Sequence, residues 1–193
     1  MRELILGGGR SGKSRYAERR AHELADDTVY IATARAHDAG MAARIAAHQA
    51  ARPAHWRTVE APLALAEAIQ AHDAAGRVLL IDCLTLWLTN LLAGPEGTDE
   101  EGSAATPGAR LEQERAELRA AVEAARGHLL LVSNETGLGV MPMGALARRF
   151  CDEAGALHQQ MAERCERVTW TVAGLAQPLK SCPLDDGPTT HQE

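Results

Sequence analysis

Aromatic residues are scarce in this 193-residue chain, with one Phe, two Tyr and three Trp making up 3% of it. A core built with so few rings has to be aliphatic and alanine-rich, and 46% hydrophobic with 24% charged residues is an ordinary globular composition. Cysteine is scarce too. Cys83, Cys151, Cys165 and Cys182 contain no CxxC pair and no zinc-like spacing with histidine, so neither a disulfide framework nor a structural metal site is expected, only reduced thiols. Cys83 lies in an apolar stretch and reads as a small buried hydrophobe rather than a nucleophile. Excess positive charge is missing: the formal net charge is -6. That argues against non-specific binding to nucleic acid or to an anionic membrane, both of which want a basic surface. No apolar run approaches the roughly 18 residues of a membrane span. The chain opens directly on an apolar strand, and a cytoplasmic protein is expected. There is no internal repeat. The length suits one well-buried core and is short for two. A single catalytic domain over residues 1–180 is expected, followed by a polar, proline-containing disordered tail over residues 181–193.

What the chain does have is Leu4 to Ser14, LILGGGRSGKS, in which an apolar run passes straight into Gly7-Gly8-Gly9-Arg10-Ser11-Gly12-Lys13-Ser14. This is a complete GxxxxGKS phosphate loop. Its glycines let backbone N–H groups turn towards phosphates, Lys13 reaches the β and γ oxygens, and the Ser14 hydroxyl suits Mg²⁺. A plain glycine turn would need neither the lysine nor the hydroxyl after it. Lys13 to Leu24 has helical spacing, and Thr28 to Ala32 is short and β-branched like a buried strand. Further strands at Val78 to Ile81, Leu129 to Ser133 and Val168 to Val172, each after a helical stretch, predict an α/β fold with a mostly parallel, doubly wound sheet flanked by helices.

Between Thr33 and Pro62 the composition changes. Met41 to Ala51 reads as a helix, Arg52 to Trp56 as a bend and Arg57 to Glu60 as a short strand, with Arg35, Arg44, Arg52 and Arg57 crowding the segment. Arg44, His48 and Arg52 follow at i, i+4 spacing, which predicts one shared cationic face with a histidine at its centre. Such a face suits a polyphosphate, and a solvated helix face carrying a histidine is the plain alternative. Pro62 is placed to open a helix over Leu63 to Ala71. In the next strand, four apolar residues end at Asp82, where a carboxylate meets the Mg²⁺ of a phosphate-loop site; a helix-capping aspartate is the alternative. Leu84 to Leu92 and Ala109 to Ala125 read as helices around a mobile surface loop, Ala93 to Gly108. Asn134-Glu135 and the glycines after them close a strand at the ligand-binding edge of an open sheet, or form an ordinary connection. Gly144 to Arg164 reads as a long amphipathic helix and Arg167 to Val172 as the last clear strand.

Together these residues resemble the bifunctional adenosylcobinamide kinase / adenosylcobinamide-phosphate guanylyltransferase family of cobalamin biosynthesis. The resemblance covers Leu4 to Lys180 and rests on GGGRSGKS, YIAT at Tyr30 to Thr33, MAARIAAHQAARPAHWRTVEAP at Met41 to Pro62, LTNLL at Leu88 to Leu92, and VSNETGLGVMP. The middle block is the most specific, since phosphate loops are widely shared. The resemblance implies a RecA-like P-loop NTPase fold and a homo-oligomer, a trimer among the candidates. It implies phosphorylation of the corrinoid adenosylcobinamide from ATP or GTP, then transfer of GMP from GTP through a GMP-histidine intermediate. By motif position the histidine is His48, between Arg44-Ile45 and Arg52-Pro53. Lys13 and Asp82 are the other implied catalytic residues. Nucleotide contacts are implied for Gly7, Gly8, Gly9, Arg10, Ser11, Gly12, Lys13, Ser14, Ala32, Thr33, Ala34, Gln49, Ala50, Ala51, Arg52, Glu60 and Asp82, and Mg²⁺ contacts for Ser14 and Asp82. A P-loop kinase for another small alcohol would not need the histidine between arginines. A guanine-nucleotide switch would need a DxxG and an NKxD, and Asp82-Cys83-Leu84-Thr85 lacks the glycine of the former.

Overall fold

The computed structural model describes residues 1–36, 38–93 and 107–181. The expected loop over 93–108 and tail over 181–193 lie almost wholly outside these residues. The chain alternates as β1 (Arg2–Gly7), α1 (Lys13–Leu24), β2 (Thr28–Ala32), α2 (Ala39–Ala51), β3 (Arg57–Glu60), α3 (Leu65–His72), β4 (Val78–Asp82), α4 (Leu84–Ala93), α5 (Pro107–Ala124), β5 (His128–Asn134), α6 (Ala145–Arg164), β6 (Arg167–Val172) and β7 (Leu175–Lys180). The strands form one sheet in the order β3-β2-β4-β5-β1-β6-β7. Every pairing is parallel except β6 with β7. β5 thus lies between the phosphate-loop strand β1 and the Asp82 strand β4.

Both faces of the sheet are covered, so the strands read as continuous apolar runs, and period-two alternation sorts their side chains between two cores. Leu4, Ile31, Leu79, Ile81 and Leu131 pack on one side with α3, α4, α5 and α6. Ile5, Tyr30, Leu80, Leu130 and Val132 pack on the other against Ala17 and Ala21 of α1. The alanines are fully buried, and their small side chains let α1 lie close to the sheet. This is how a chain with almost no aromatics closes its core.

Three sequence expectations are corrected. First, Pro62 does not open a helix: α3 begins at Leu65, and the Leu63 carbonyl is taken by the indole N–H of Trp87 at 2.7 Å. Second, Arg52 is not on the face of α2. It is extended at φ -75°, ψ 150° and caps the helix, because the ring of the following Pro53 disfavours helical backbone in the residue before it. The side chain of Arg44 lies outside the described residues. Third, Val172 does not end the sheet, since β7 adds an antiparallel edge strand.

The β6–β7 hairpin braces the phosphate loop. The Gly174 amide donates to the Ser11 carbonyl at 2.9 Å, and the Ser11 and Thr171 hydroxyls are 2.9 Å apart. A Cβ on Gly7 would lie 2.2 Å from the Thr171 hydroxyl and 2.4 Å from that of Ser11. Only glycine fits there. Gly12, at φ +98°, turns the chain into α1 through left-handed backbone that a side chain would strain.

Candidate active site

The carboxyl ends of β1, β2, β3 and β4 open into one cavity of about 1430 Å³, which carries residues from the phosphate loop, β2, α2, β3 and β4 on its walls. Lys13 is buried at the start of α1, and its ammonium group donates to the Gly8 carbonyl at 3.1 Å, folding back over its own loop. Burial lowers its pKa, with the Asp82 carboxylate opposing. The Ser14 hydroxyl donates to Oδ2 of Asp82 at 3.2 Å. A hydroxyl and a carboxylate meeting beside a phosphate loop are hard oxygen ligands, a donor set that fits Mg²⁺.

Across the cavity stands α2. Asp38 caps its first turn, accepting from the Met41 amide at 2.7 Å. Its side facing the sheet sends Met41, Ile45, His48 and Gln49 to the cavity. Although Arg52 has left the helix, it still lines the cavity, because its guanidinium lies over the Tyr30 ring with its central carbon 3.5 Å from the ring centroid. It also donates to the Thr58 hydroxyl at 3.2 Å, while its Nε is buried with no acceptor among the described residues. The expected grouping of His48 with Arg52 therefore exists, made by a stacking contact and not by helical periodicity. His55 points elsewhere, its ring edge-on to Trp56 at 6.5 Å and 6.1 Å from that of His22.

Of the residues named from the sequence, Gly9, Arg10, Lys13, Ser14, Ala32, Ala34, His48, Gln49, Arg52, Glu60 and Asp82 meet at this cavity. Gly7, Gly8, Ser11, Gly12 and Ala50 are not on its walls, and the side chain of Ala51 lies outside the described residues; Gly7 and Ser11 are occupied with Thr171, as described above. Thr33 is fully buried. Its hydroxyl donates to the Cys83 carbonyl at 2.7 Å and accepts from the Cys83 amide at 2.8 Å, which fixes where β4 ends. Cys83 is buried as expected, and burial raises its thiol pKa.

Sequence reasoning passed over Tyr30 and Glu18. The Tyr30 hydroxyl donates to Oδ2 of Asp82 at 2.8 Å. Burial, reinforced by the Asp82 charge, holds that phenol un-ionised. Glu18, half-buried on α1, has its pKa raised by burial and then by Asp82, with His48 and Arg52 opposing. The signals available for Tyr30 were a tyrosine inside a buried strand and its place in the YIAT motif.

The chain matches the model of the family described as cobinamide kinase / cobinamide phosphate guanyltransferase over residues 3–179. It is 58% identical over 184 residues to the bifunctional adenosylcobalamin biosynthesis protein CobP of Pseudomonas aeruginosa, covering 95% of this chain and 100% of that one. It is 39% identical over 179 residues to the bifunctional adenosylcobalamin biosynthesis protein CobU of Salmonella typhimurium, covering 92% and 98%. Among solved structures, a Pyrococcus horikoshii OT3 protein superposes with a TM-score of 0.50 at 9% identity, covering 93% of this chain and 85% of that one, a likeness of fold alone. A family pattern matched along nearly the whole described chain, by a molecule whose phosphate loop and α2 histidine share one cavity, leads to one statement: the chain belongs to the cobinamide kinase / cobinamide phosphate guanyltransferase family.

Proposed function

We propose that one domain over residues 1–180 carries out two successive transfers at this cavity. In the first, the aminopropanol hydroxyl of adenosylcobinamide attacks the γ-phosphorus of ATP or GTP. Lys13 and the loop amides hold the phosphates and offset the developing charge. In the second, a ring nitrogen of His48 attacks the α-phosphorus of GTP and pyrophosphate leaves. The phosphate of adenosylcobinamide phosphate then displaces the histidine to give adenosylcobinamide-GDP. Arg52, whose guanidinium is held on the cavity wall by the Tyr30 ring, is suited to the polyphosphate. Mg²⁺ held between Ser14 and Asp82 would supply Lewis-acid charge stabilisation to both transfers.

The observation that carries this reading is the shared cavity of His48 with Lys13 and Asp82; a plain kinase has no use for that histidine. Exposed Val140 at 98%, Met143 at 94% and Leu138 at 78% form an apolar stretch that supports a homo-oligomer, such as a trimer. The reading supposes a cytoplasmic enzyme, where both nucleotides are available. Incubation with α-labelled GTP tests it: acid-labile covalent label is expected on the protein, and its absence under conditions that permit phosphoryl transfer would leave only a kinase.

A further inference from the structure

Ser133, Glu135 and His158 form a polar cluster at the carboxyl end of β5, beside the phosphate loop and outside the residues assigned above. The fully buried Ser133 hydroxyl is 2.7 Å from Nε2 of His158, which reaches across from α6. Nδ1 of the same ring is 3.7 Å from Oε2 of Glu135. His158 is itself buried, and burial lowers its pKa, with Glu135 opposing. A neutral ring satisfies both neighbours in one arrangement: Ser133 donates to Nε2, and the Nδ1 proton faces the carboxylate.

Glu135 is held at the end of β5, next to the cavity-lining Asn134. Its amide donates to the Gly7 carbonyl at 3.1 Å, tying it to the first residue of the phosphate loop. Oε1 accepts from the Gly137 amide, and the side chain remains 21% exposed. The preceding Asn134 lines the cavity, and the chain beyond runs exposed past Leu138 and Val140. Glu60 and Asp82 are carboxylates on the cavity wall itself. Oδ2 of Asp82 takes the Ser14 and Tyr30 hydroxyls, and Glu60 is on the edge strand β3, separated from β5 by β2 and β4.

We propose that Glu135 takes the proton of the attacking alcohol in the phosphoryl-transfer step, and that Ser133 and His158 position it. The inference rests on the reading that this transfer runs at the Lys13–Asp82 cavity. The alcohol oxygen bonds to the γ-phosphorus as the bond from that phosphorus to its bridging oxygen breaks. The nucleoside diphosphate leaves with the electron pair. The hydroxyl proton passes to Glu135 and from there to water. The guanylyl step needs no such base, because its attacking groups are an imidazole nitrogen and an ionised phosphate oxygen.

Glu135→Gln keeps the shape and the Gly137 contact while removing the basic oxygen. Its phosphoryl transfer from ATP to cobinamide should fall about 100-fold in kcat with little change in nucleotide KM, as for loss of a general base. Covalent labelling by α-labelled GTP should stay within twofold, and Glu135→Asp should recover part of the turnover. His158→Gln should slow phosphoryl transfer about tenfold in the parent and not at all in the Glu135→Gln background, a non-additivity expected of groups acting as one unit. Turnover of Glu135→Gln within threefold of the parent, or an equal loss of turnover and labelling in both Glu135 variants, would overturn the inference. Absence of phosphoryl transfer in the parent would instead overturn the reading beneath it.

Discussion

The Tyr30 hydroxyl donates to Oδ2 of Asp82 at 2.8 Å, and the face of the same ring carries the Arg52 guanidinium at 3.5 Å. One buried side chain thereby links the carboxylate beside the phosphate loop to the segment that follows His48. The two contacts use different parts of Tyr30 and can be separated by mutation.

Tyr30→Phe keeps the ring under Arg52 and removes only the hydroxyl, so covalent GMP labelling is expected within about threefold of the parent. Tyr30→Leu removes the ring face. A partly desolvated cation–π contact is worth roughly 1–2 kcal/mol, or about tenfold, and labelling by Tyr30→Leu should slow by that factor in single-turnover measurements. Equal rates for the two variants would show that Arg52 is held by something else.

Lys13→Ala removes a positive charge from the polyphosphate that either donor nucleotide presents. Both transfers should fall together, by about 100-fold or more, the scale of losing one preorganised charge-stabilising donor. Phosphoryl transfer surviving within a few-fold would mean that GGGRSGKS is not the donor site.

Glu3 carries a stability prediction. It is fully buried and accepts from the Tyr16 hydroxyl at 2.8 Å, the Thr169 hydroxyl at 2.6 Å and Arg20 Nε at 3.2 Å. Removing one member of a buried, paired network strands the rest, so Glu3→Ala should cost about 3 kcal/mol. Urea denaturation measures this, and a loss below about 1 kcal/mol would show that the cluster relaxes freely.

The phosphate loop and α1 were legible because GxxxxGKS imposes both a turn and a helix start on whatever carries it. The parallel sheet was legible from unbroken apolar runs at βα spacing. β7 was not, since Leu175–Lys180 is exposed throughout and contains Pro178, which an edge strand tolerates and a central strand does not. The Tyr30–Asp82 contact depends on β2 pairing with β4 in the register Ala32↔Asp82, and His158 meets Ser133 across 25 residues of chain. Those contacts follow from tertiary pairing, on which local spacing is silent. Arg52 is intermediate: Pro53 already forbade the helical face in which it was placed, yet its stacking partner could not be named.

Glu166 gives a pH prediction. Burial alone would raise its pKa, but side-chain and backbone hydrogen bonds from Arg2 prevail and bring it down to about 2. A carboxylate held lower in the folded than in the unfolded chain adds stability above its unfolded pKa and loses it as pH falls towards the folded value. Glu166→Gln should therefore be less stable than the parent at pH 6 to 7, with the gap closing between about pH 4.5 and 2. A gap constant over that range, in melting scans of both proteins, would show that the ion pair adds nothing.

The most discriminating outcome concerns His48. His48→Asn or His48→Ala should abolish covalent GMP labelling and guanylyl transfer while sparing much of the phosphorylation of adenosylcobinamide. In the proposed kinase step the substrate hydroxyl attacks the γ-phosphorus directly, which calls for positioning and charge stabilisation but no protein nucleophile. In the proposed transfer step a phosphoramidate forms on nitrogen, and neither replacement offers an imidazole. His55 is the control, because its ring packs with His22 and Trp56 and is not on the cavity wall, so His55→Ala should label normally. Normal labelling by His48→Ala together with loss of labelling by His55→Ala would move the nucleophile to the bend after α2 and require α2 to swing away from the phosphate loop.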